Sequence, residues 1–148
     1  MAIKYEAGKS PADMAKKLEA MMKRAQNPAP VLKKAAPLIK SIMDESFIKK
    51  DSPDGMTWAP NRPSTLASKR GSLGVESGRL KASMYARVVG NTLEFGSSGV
   101  PYAAYFNWGT RYMSGRSFMP SGSGGRSKIV FNQIKQWLIT YIEEGKLP

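Results

Sequence analysis

Several groupings of reactive side chains invite a chemical reading. Ser46-Phe-Ile-Lys49 has the Ser-x-x-Lys spacing of serine hydrolases that work without histidine, with hydroxyl and amine one helical turn apart. Only two residues match and no Lys-Thr-Gly follows, so an incidental pair at the end of a Lys-rich helix is the stronger reading. Asp44, Glu45, Asp51 and Asp54 raise the question of a cation site. Acids are missing at the alternate positions a calcium loop needs, and Asp54-Gly55 is accounted for as turn chemistry. Gly122-Ser-Gly-Gly-Arg-Ser127 ahead of a helix resembles a phosphate-cradling loop. It lacks a strongly apolar strand before it and a Gly-Lys-Ser/Thr ending, so its composition predicts a flexible linker over 121–127. The chain has neither histidine nor cysteine, which removes Ser-His-Asp triads, imidazole bases, thiolate nucleophiles, disulfides and the commonest zinc sites. The residues therefore predict no catalytic, metal or cofactor site, and a binding or assembly protein rather than an enzyme.

Charge offers a second reading. In 148 residues, 23 Lys and Arg oppose 11 Asp and Glu, a net charge of +12. Such a surplus gives phosphate affinity almost automatically, so a small basic protein that binds nucleic acid non-specifically is the alternative. Against it, the lysines fall on the solvent sides of helical patterns. The aromatics cluster with small and apolar residues instead of interleaving with Arg and Lys. No run reaches the roughly 18 apolar residues of a membrane helix, and the first residues lack the apolar core of a secretory signal. A soluble, intracellular, single-domain protein is expected.

The elements that must position any site are read from periodicity and punctuation. Ser10-Pro11-Ala12-Asp13 predicts a helix start, and Met14, Leu18, Met21 and Met22 recur at helical spacing up to Asn27-Pro28. This N-terminal helix (1–27) is expected to be the least securely docked element. A long helix over 28–50 places Leu32, Ala35, Ile39, Ile42, Met43, Ser46 and Phe47 on one face, and Pro37 either kinks it or marks its start. Residues 51–82 read as an extended loop, opened by the turn Ser52-Pro53-Asp54-Gly55 and poor in apolar side chains beyond Trp58, Leu66, Leu73 and Val75. This 51–82 segment is expected to be an assembly element, mobile in the free subunit and ordered on docking, with fast hydrogen exchange at 61–77. A hairpin follows, Ser83–Val89 and Thr92–Gly96 around Gly90-Asn91. Val100–Thr110 is a short helix or a strand, and Ser117–Pro120 a short strand, completing the sheet region 83–120. The last helix (128–145) carries Val130, Ile134, Trp137, Leu138, Tyr141 and Ile142 and stops at Gly145. The order predicts α+β, an antiparallel sheet of three to four strands packed against long amphipathic helices.

Five segments in order carry a resemblance. They are Phe47 with Ser-Pro-Asp-Gly-Met-Thr-Trp58-Ala-Pro60; Glu-Ser-Gly78-Arg-Leu80-Lys-Ala-Ser83; Leu93-Glu-Phe-Gly96-Ser; Pro-Tyr102-Ala-Ala-Tyr-Phe-Asn-Trp108-Gly109-Thr110; and Arg116-Ser-Phe118-Met. Over about residues 38–145 the chain resembles the virion morphogenesis, or tail completion, proteins of Mu-like phages and prophages. The family often has histidine before its Gly-Thr, where this chain has Phe106-Asn107, and Ser117 replaces the proline of Arg-Pro-Phe. The resemblance implies a structural role in tail completion or head–tail joining. It implies ring-type self-association, contacts to tail-tube, terminator or connector proteins, and a place in the virion and in the host bacterial cytoplasm during assembly. Trp58, Gly78, Leu80, Tyr102, Trp108, Gly109, Arg116 and Phe118 are the candidate assembly residues. Trp58 is expected to pin the long loop to the core, and Gly78 and Gly109 to take positive φ or admit a close backbone approach. Tyr102, Tyr105 and Trp108 are expected to be core more than contact.

Overall fold

In the computed structural model, which describes residues 10–61 and 78–148, the first helix starts on its predicted cap. The Ser10 hydroxyl accepts from the Asp13 amide at 3.2 Å and the Asp13 carboxylate accepts from the Ser10 amide at 3.4 Å. This reciprocal pair satisfies two donors that a helix start leaves open. α1 (Pro11–Gln26) buries Met21, whereas Met22, placed inward by the sequence stripe, is exposed. The far end of α1 is fixed by charge. Arg24 donates to the carbonyls of Ile142 at 2.8 Å and Glu143 at 3.2 Å, at the end of the last helix, where open carbonyls and the helix dipole favour a cation.

α2 (Ala29–Lys49) is the helix around which the core is built. Val31, Ala35, Ile39, Met43, Ser46 and Phe47 are buried along it. The helix runs through Pro37. Both Pro37 and Lys33 are exposed, so the Lys33 carbonyl, deprived of its usual donor, can turn to water. α2 ends at Lys50, whose backbone takes φ 58 and whose ammonium folds back onto the Phe47 carbonyl.

After α3 (Arg79–Ser83) the chain enters β1 (Met84–Val89), paired antiparallel with β2 (Thr92–Ser97) in the register Met84↔Ser97 to Val89↔Thr92. The two-residue loop opens on Gly90 at φ 61, the first central position of a type II′ turn, where glycine is favoured. The hairpin forms where alternation predicts it, but among the described residues the sheet has two strands, not three or four. Of the two segments expected to extend it, one is α4 (Ala103–Trp108), and the other, Ser117–Met119, bonds to a side chain in place of a strand. Aromatic enrichment does not discriminate a period of 2 from one of 3.6. The spacing of Ala103, Phe106 and Asn107 on the inner side settles for helix.

α5 (Gly125–Glu144) closes the molecule. It buries Ser127 and Ile134 and lays Val130, Phe131, Trp137 and Leu138 against the core, while α2 packs on both strands and on α5. Gly145 ends it at φ 72, its amide on the Tyr141 carbonyl at 2.9 Å.

The Ser121–Ser127 segment is a buckle, not the loose linker its composition predicts. The Ser121 amide and hydroxyl donate to the two Asp54 carboxylate oxygens at 3.0 and 2.7 Å. The buried Ser127 hydroxyl accepts from the Gly122 amide, and the Ser127 amide donates to the Pro53 carbonyl at 2.9 Å. A Cβ on Gly125 would lie 2.8 Å from the Gly55 nitrogen. The glycines are there so that two backbones can touch. The start of the expected 51–82 loop is correspondingly built: Ser52 and Gly55 close the turn and Asp51 bridges Thr57. The expectation for 61–77 falls, from residue 62 on, outside the described residues.

Burial by itself raises the Asp54 carboxyl pKa, but the Ser121 amide and hydroxyl, the Ser127 hydroxyl and the Gly122 amide outweigh it and hold the group below its ordinary value. A folded-state pKa below the unfolded one means stability that is complete above about pH 4 and is lost as pH falls through the lowered value. Asp54→Ala is expected to remove about 1–2 kcal/mol at neutral pH, after allowance for solvent screening. The deficit should shrink towards pH 3. Urea unfolding at both pH values measures this, and an undiminished gap would mean that the charge contributes nothing.

Candidate functional site

Four aromatic rings meet where α2 ends. Phe47 lies 5.2 Å from Trp58 edge-on, 6.0 Å from Phe106 in a stack and 5.8 Å from Phe118, and Trp58 meets Phe106 edge-on at 5.3 Å. Edge-to-face and offset arrangements suit the ring quadrupoles. The indole of Trp58 donates to the Ser117 carbonyl at 2.9 Å, so its one polar atom is satisfied inside the box.

This box seats α4. With Ala103, Phe106 and Asn107 turned inward, the residues at the intervening i, i+3 spacing must face water. Tyr102 is 42% exposed, Tyr105 60% and Trp108 75%. Asn107 is buried, and its side-chain oxygen accepts from the amides of Phe118 and Met119 at 3.0 and 3.1 Å. One amide side chain thereby does for this segment what a neighbouring strand would do.

Beyond Trp108 the chain turns back on itself. Gly109 has φ 84, and a Cβ there would stand 2.5 Å from the Gly115 nitrogen. One on Gly115 would stand 2.6 Å from the Trp108 carbonyl carbon. Only two glycines allow this crossing. It is closed by the Thr110 amide on the Met113 carbonyl at 2.9 Å and by the Arg116 amide on the Phe106 carbonyl. The closed loop projects Arg111, Tyr112 (76% exposed) and Met113 into solvent beside Trp108. Arg116 then reaches under the loop, its guanidinium donating to the carbonyls of Ala59 at 2.9 Å and Pro60 at 3.3 Å. Burial lowers its pKa from the ordinary value. The result is a groove of about 820 Å³ walled by Trp108, Tyr112 and Met113 and floored by Ala59–Asn61.

The candidate residues thus divide. Trp58, Leu80 and Phe118 are buried in the core. Gly109 has both the positive φ and the close approach expected of it, while Gly78, at φ 72, has open space around it and needs glycine for conformation alone. Arg116 shapes the groove floor. Tyr102 and Trp108 with Tyr105 form an exposed face, the opposite of the core placement expected. Asn107, Gly115 and Tyr112 were missed; the one signal was a lone amide on the inward side of an aromatic helix.

The groupings first singled out for chemistry are committed elsewhere. The Ser46 hydroxyl is buried, donates to the Ile42 carbonyl and accepts from Arg126 at 3.2 Å, while the Lys49 ammonium stands 3.6 Å from Glu45. Arg126 also pairs with Glu45 at 3.1 Å and Asp51 at 2.9 Å, and Asp44 pairs with Lys40 at 2.9 Å. The glycine-rich loop that resembles a phosphate cradle does hold an anion, the chain's own Asp54 carboxylate.

Asn107→Leu should cost about 2–4 kcal/mol, because it leaves the buried Phe118 amide and the half-buried Met119 amide unpaired. Asn107→Asp keeps the oxygen that accepts both bonds and should cost less above the pH at which its carboxyl ionises. Urea denaturation of both variants tests this, and equal losses would show that the amide acts by filling space.

No curated protein and no solved structure matches the chain significantly. The sequence model of the phage virion morphogenesis family matches residues 11–130, a span that takes in α1, α2, the hairpin, the aromatic box and the groove loop. The chain therefore belongs to the phage virion morphogenesis family.

Proposed function

We propose that this protein is a structural, non-enzymatic component of phage assembly acting at tail completion or head–tail joining, and that the face made by Tyr102, Tyr105, Trp108 and Tyr112 is where it meets the particle. The carrying observation is the exposure of these rings on a support that cannot relax to bury them. Trp, Tyr, Met and Arg are the side chains enriched at protein interfaces, and a large exposed aromatic cluster on one monomer marks a contact surface. Half-buried Phe106 and buried Asn107 beneath it, with the Gly109–Gly115 crossing beside it, fix the presentation. The membership of a virion morphogenesis family supports a role in the particle and, with it, a virion location. The partners proposed are further copies of this chain, arranged as a ring, and tail-tube, terminator or connector proteins.

The nucleic-acid alternative draws on the net charge of +12. Phosphate binding of that kind weakens by nearly one log unit per neutralised phosphate for each tenfold rise in salt. An aromatic contact does not.

Complementation separates the readings. A phage lacking this gene, supplied with the Trp108→Ala/Tyr105→Ala protein, should yield at least about tenfold fewer finished particles, because a lost aromatic anchor weakens a contact by an order of magnitude or more. The purified variant should melt within about 2 °C of the parent, both rings being exposed. Unimpaired particle yield would overturn the proposal.

A further inference from the structure

We propose that the groove beside Trp108 receives an acidic segment of a different protein, with an apolar or prolyl side chain against Trp108 and Tyr112 and a carboxylate on Arg111. This rests on the reading of that face as the assembly contact and specifies the chemistry of what it contacts. Three observations carry it.

The groove is short of negative charge by construction. No Asp or Glu occurs between Glu94 and Glu143, a stretch that contains Arg111, Arg116, Arg126, Lys128 and Lys135. None of the residues lining the groove is acidic. Arg126 is answered by Glu45 and Asp51, and Arg116 is turned onto backbone carbonyls. Arg111, by contrast, has no acid within ion-pair distance among the described residues; its guanidinium stands 5.7 Å from the centre of the Tyr112 ring. A guanidinium placed beside an aromatic ring at the mouth of a groove is a receptor for a carboxylate.

A second copy is a poor source of that carboxylate. Each copy carries +12 and the groove lies in a stretch without acids, so seating a second copy in this groove is opposed by charge, and copies in a ring would meet through other faces. The acids that a copy presents are largely spent at home: Glu19 on Lys23, Asp44 on Lys40, Glu45 and Asp51 on Arg126, Glu94 on Arg87 and Glu144 on Lys146. Nucleic acid supplies negative charge, but as a line of phosphates that calls for a track of cations. Among the described residues the groove offers one guanidinium without an acid partner, beside the Trp108, Tyr112 and Met113 side chains in an otherwise polar lining, which suits one carboxylate next to a single apolar side chain.

The test uses a fluorescein-labelled peptide of alternating Asp and Glu with Leu-Pro at its centre, its Asn/Gln counterpart, and an oligo-dT of equal charge. Fluorescence anisotropy with the full chain should show binding of the acidic peptide that is at least about tenfold weaker for the amide counterpart and for Trp108→Ala or Arg111→Gln. Lys34→Gln, on the exposed side of α2, should leave it within about twofold, which separates a site from general attraction to a basic protein. Equal affinity for both peptides, indifference to Arg111→Gln, or no binding up to about 1 mM would overturn the proposal. Tighter, Trp108-dependent binding of oligo-dT would overturn it in favour of nucleic acid. Trp108-dependent self-association in sedimentation velocity without peptide binding would overturn it in favour of a second copy. If the peptides fail while particle assembly still depends on Trp108, only the acidic occupant falls. Assembly indifferent to Trp108 removes the contact role as well.

Discussion

Phe47 against Trp58, Phe106 and Phe118 is the contact on which the arrangement of this molecule depends. Each ring comes from a different stretch: the end of α2, the turn after it, α4, and the extended segment that follows. None of those stretches except α2 is long enough to be stable alone. The box therefore does more than bury apolar area. It sets the rotation of α4 about its own axis, and a six-residue helix with Phe106 and Asn107 turned inward has no choice but to carry Tyr105 and Trp108 outward. The exposed face is a geometric consequence of the core.

A polar seam complements the aromatic one. Arg126, in the first turn of α5, reaches Glu45 and the Ser46 hydroxyl on α2 and Asp51 just past its end, while Asp54 is gripped by Ser121. Partly buried ion pairs of this kind return little net stability, since desolvation offsets the Coulomb gain, but a wrong register would leave charges unanswered. The seam is thus better understood as a register device. It dictates where the start of α5 meets the end of α2, and so how Val130, Ile134 and Leu138 meet the core that α2 and the hairpin share.

How far the sequence reveals these features follows from the range of the forces involved. The Ser10 cap, the α2 stripe, the Gly90-Asn91 hairpin and the Gly145 stop are legible because each is decided within a few residues. The buckle is not. Ser121–Ser127 has the composition of a linker, and what makes it structure is a carboxylate 67 positions earlier. The third strand expected at Ser117–Pro120 does not form for a similar reason: Asn107 pairs with the amides of Phe118 and Met119, and no local pattern announces that an amide side chain will replace a ladder there. At the candidate site, the composition of the aromatic run is plain while its orientation is not. Tyr102, Tyr105 and Trp108 sit at a spacing compatible with either face of a helix, and only the position of Phe47 decides which.

The stiffness of the mounting bears on why the face is built this way. A ring or an arginine that must be immobilised on binding costs about 0.5–1.5 kcal/mol in lost rotamer freedom, and a loop that must order costs more. Trp and Tyr carry only two side-chain torsions, and here their backbone is already fixed from below by Asn107 and laterally by the crossing of Gly109 with Gly115. Arg116 extends the same economy to the groove floor. A lysine at that position has a single point of donation, whereas the forked guanidinium spans the Ala59 and Pro60 carbonyls together and holds two successive peptide units in place. Turning that charge inward leaves Arg111 as the cation presented at the rim. A contact surface with its scaffold ordered in advance can bind through a small area, because little of the interaction energy is consumed in ordering it.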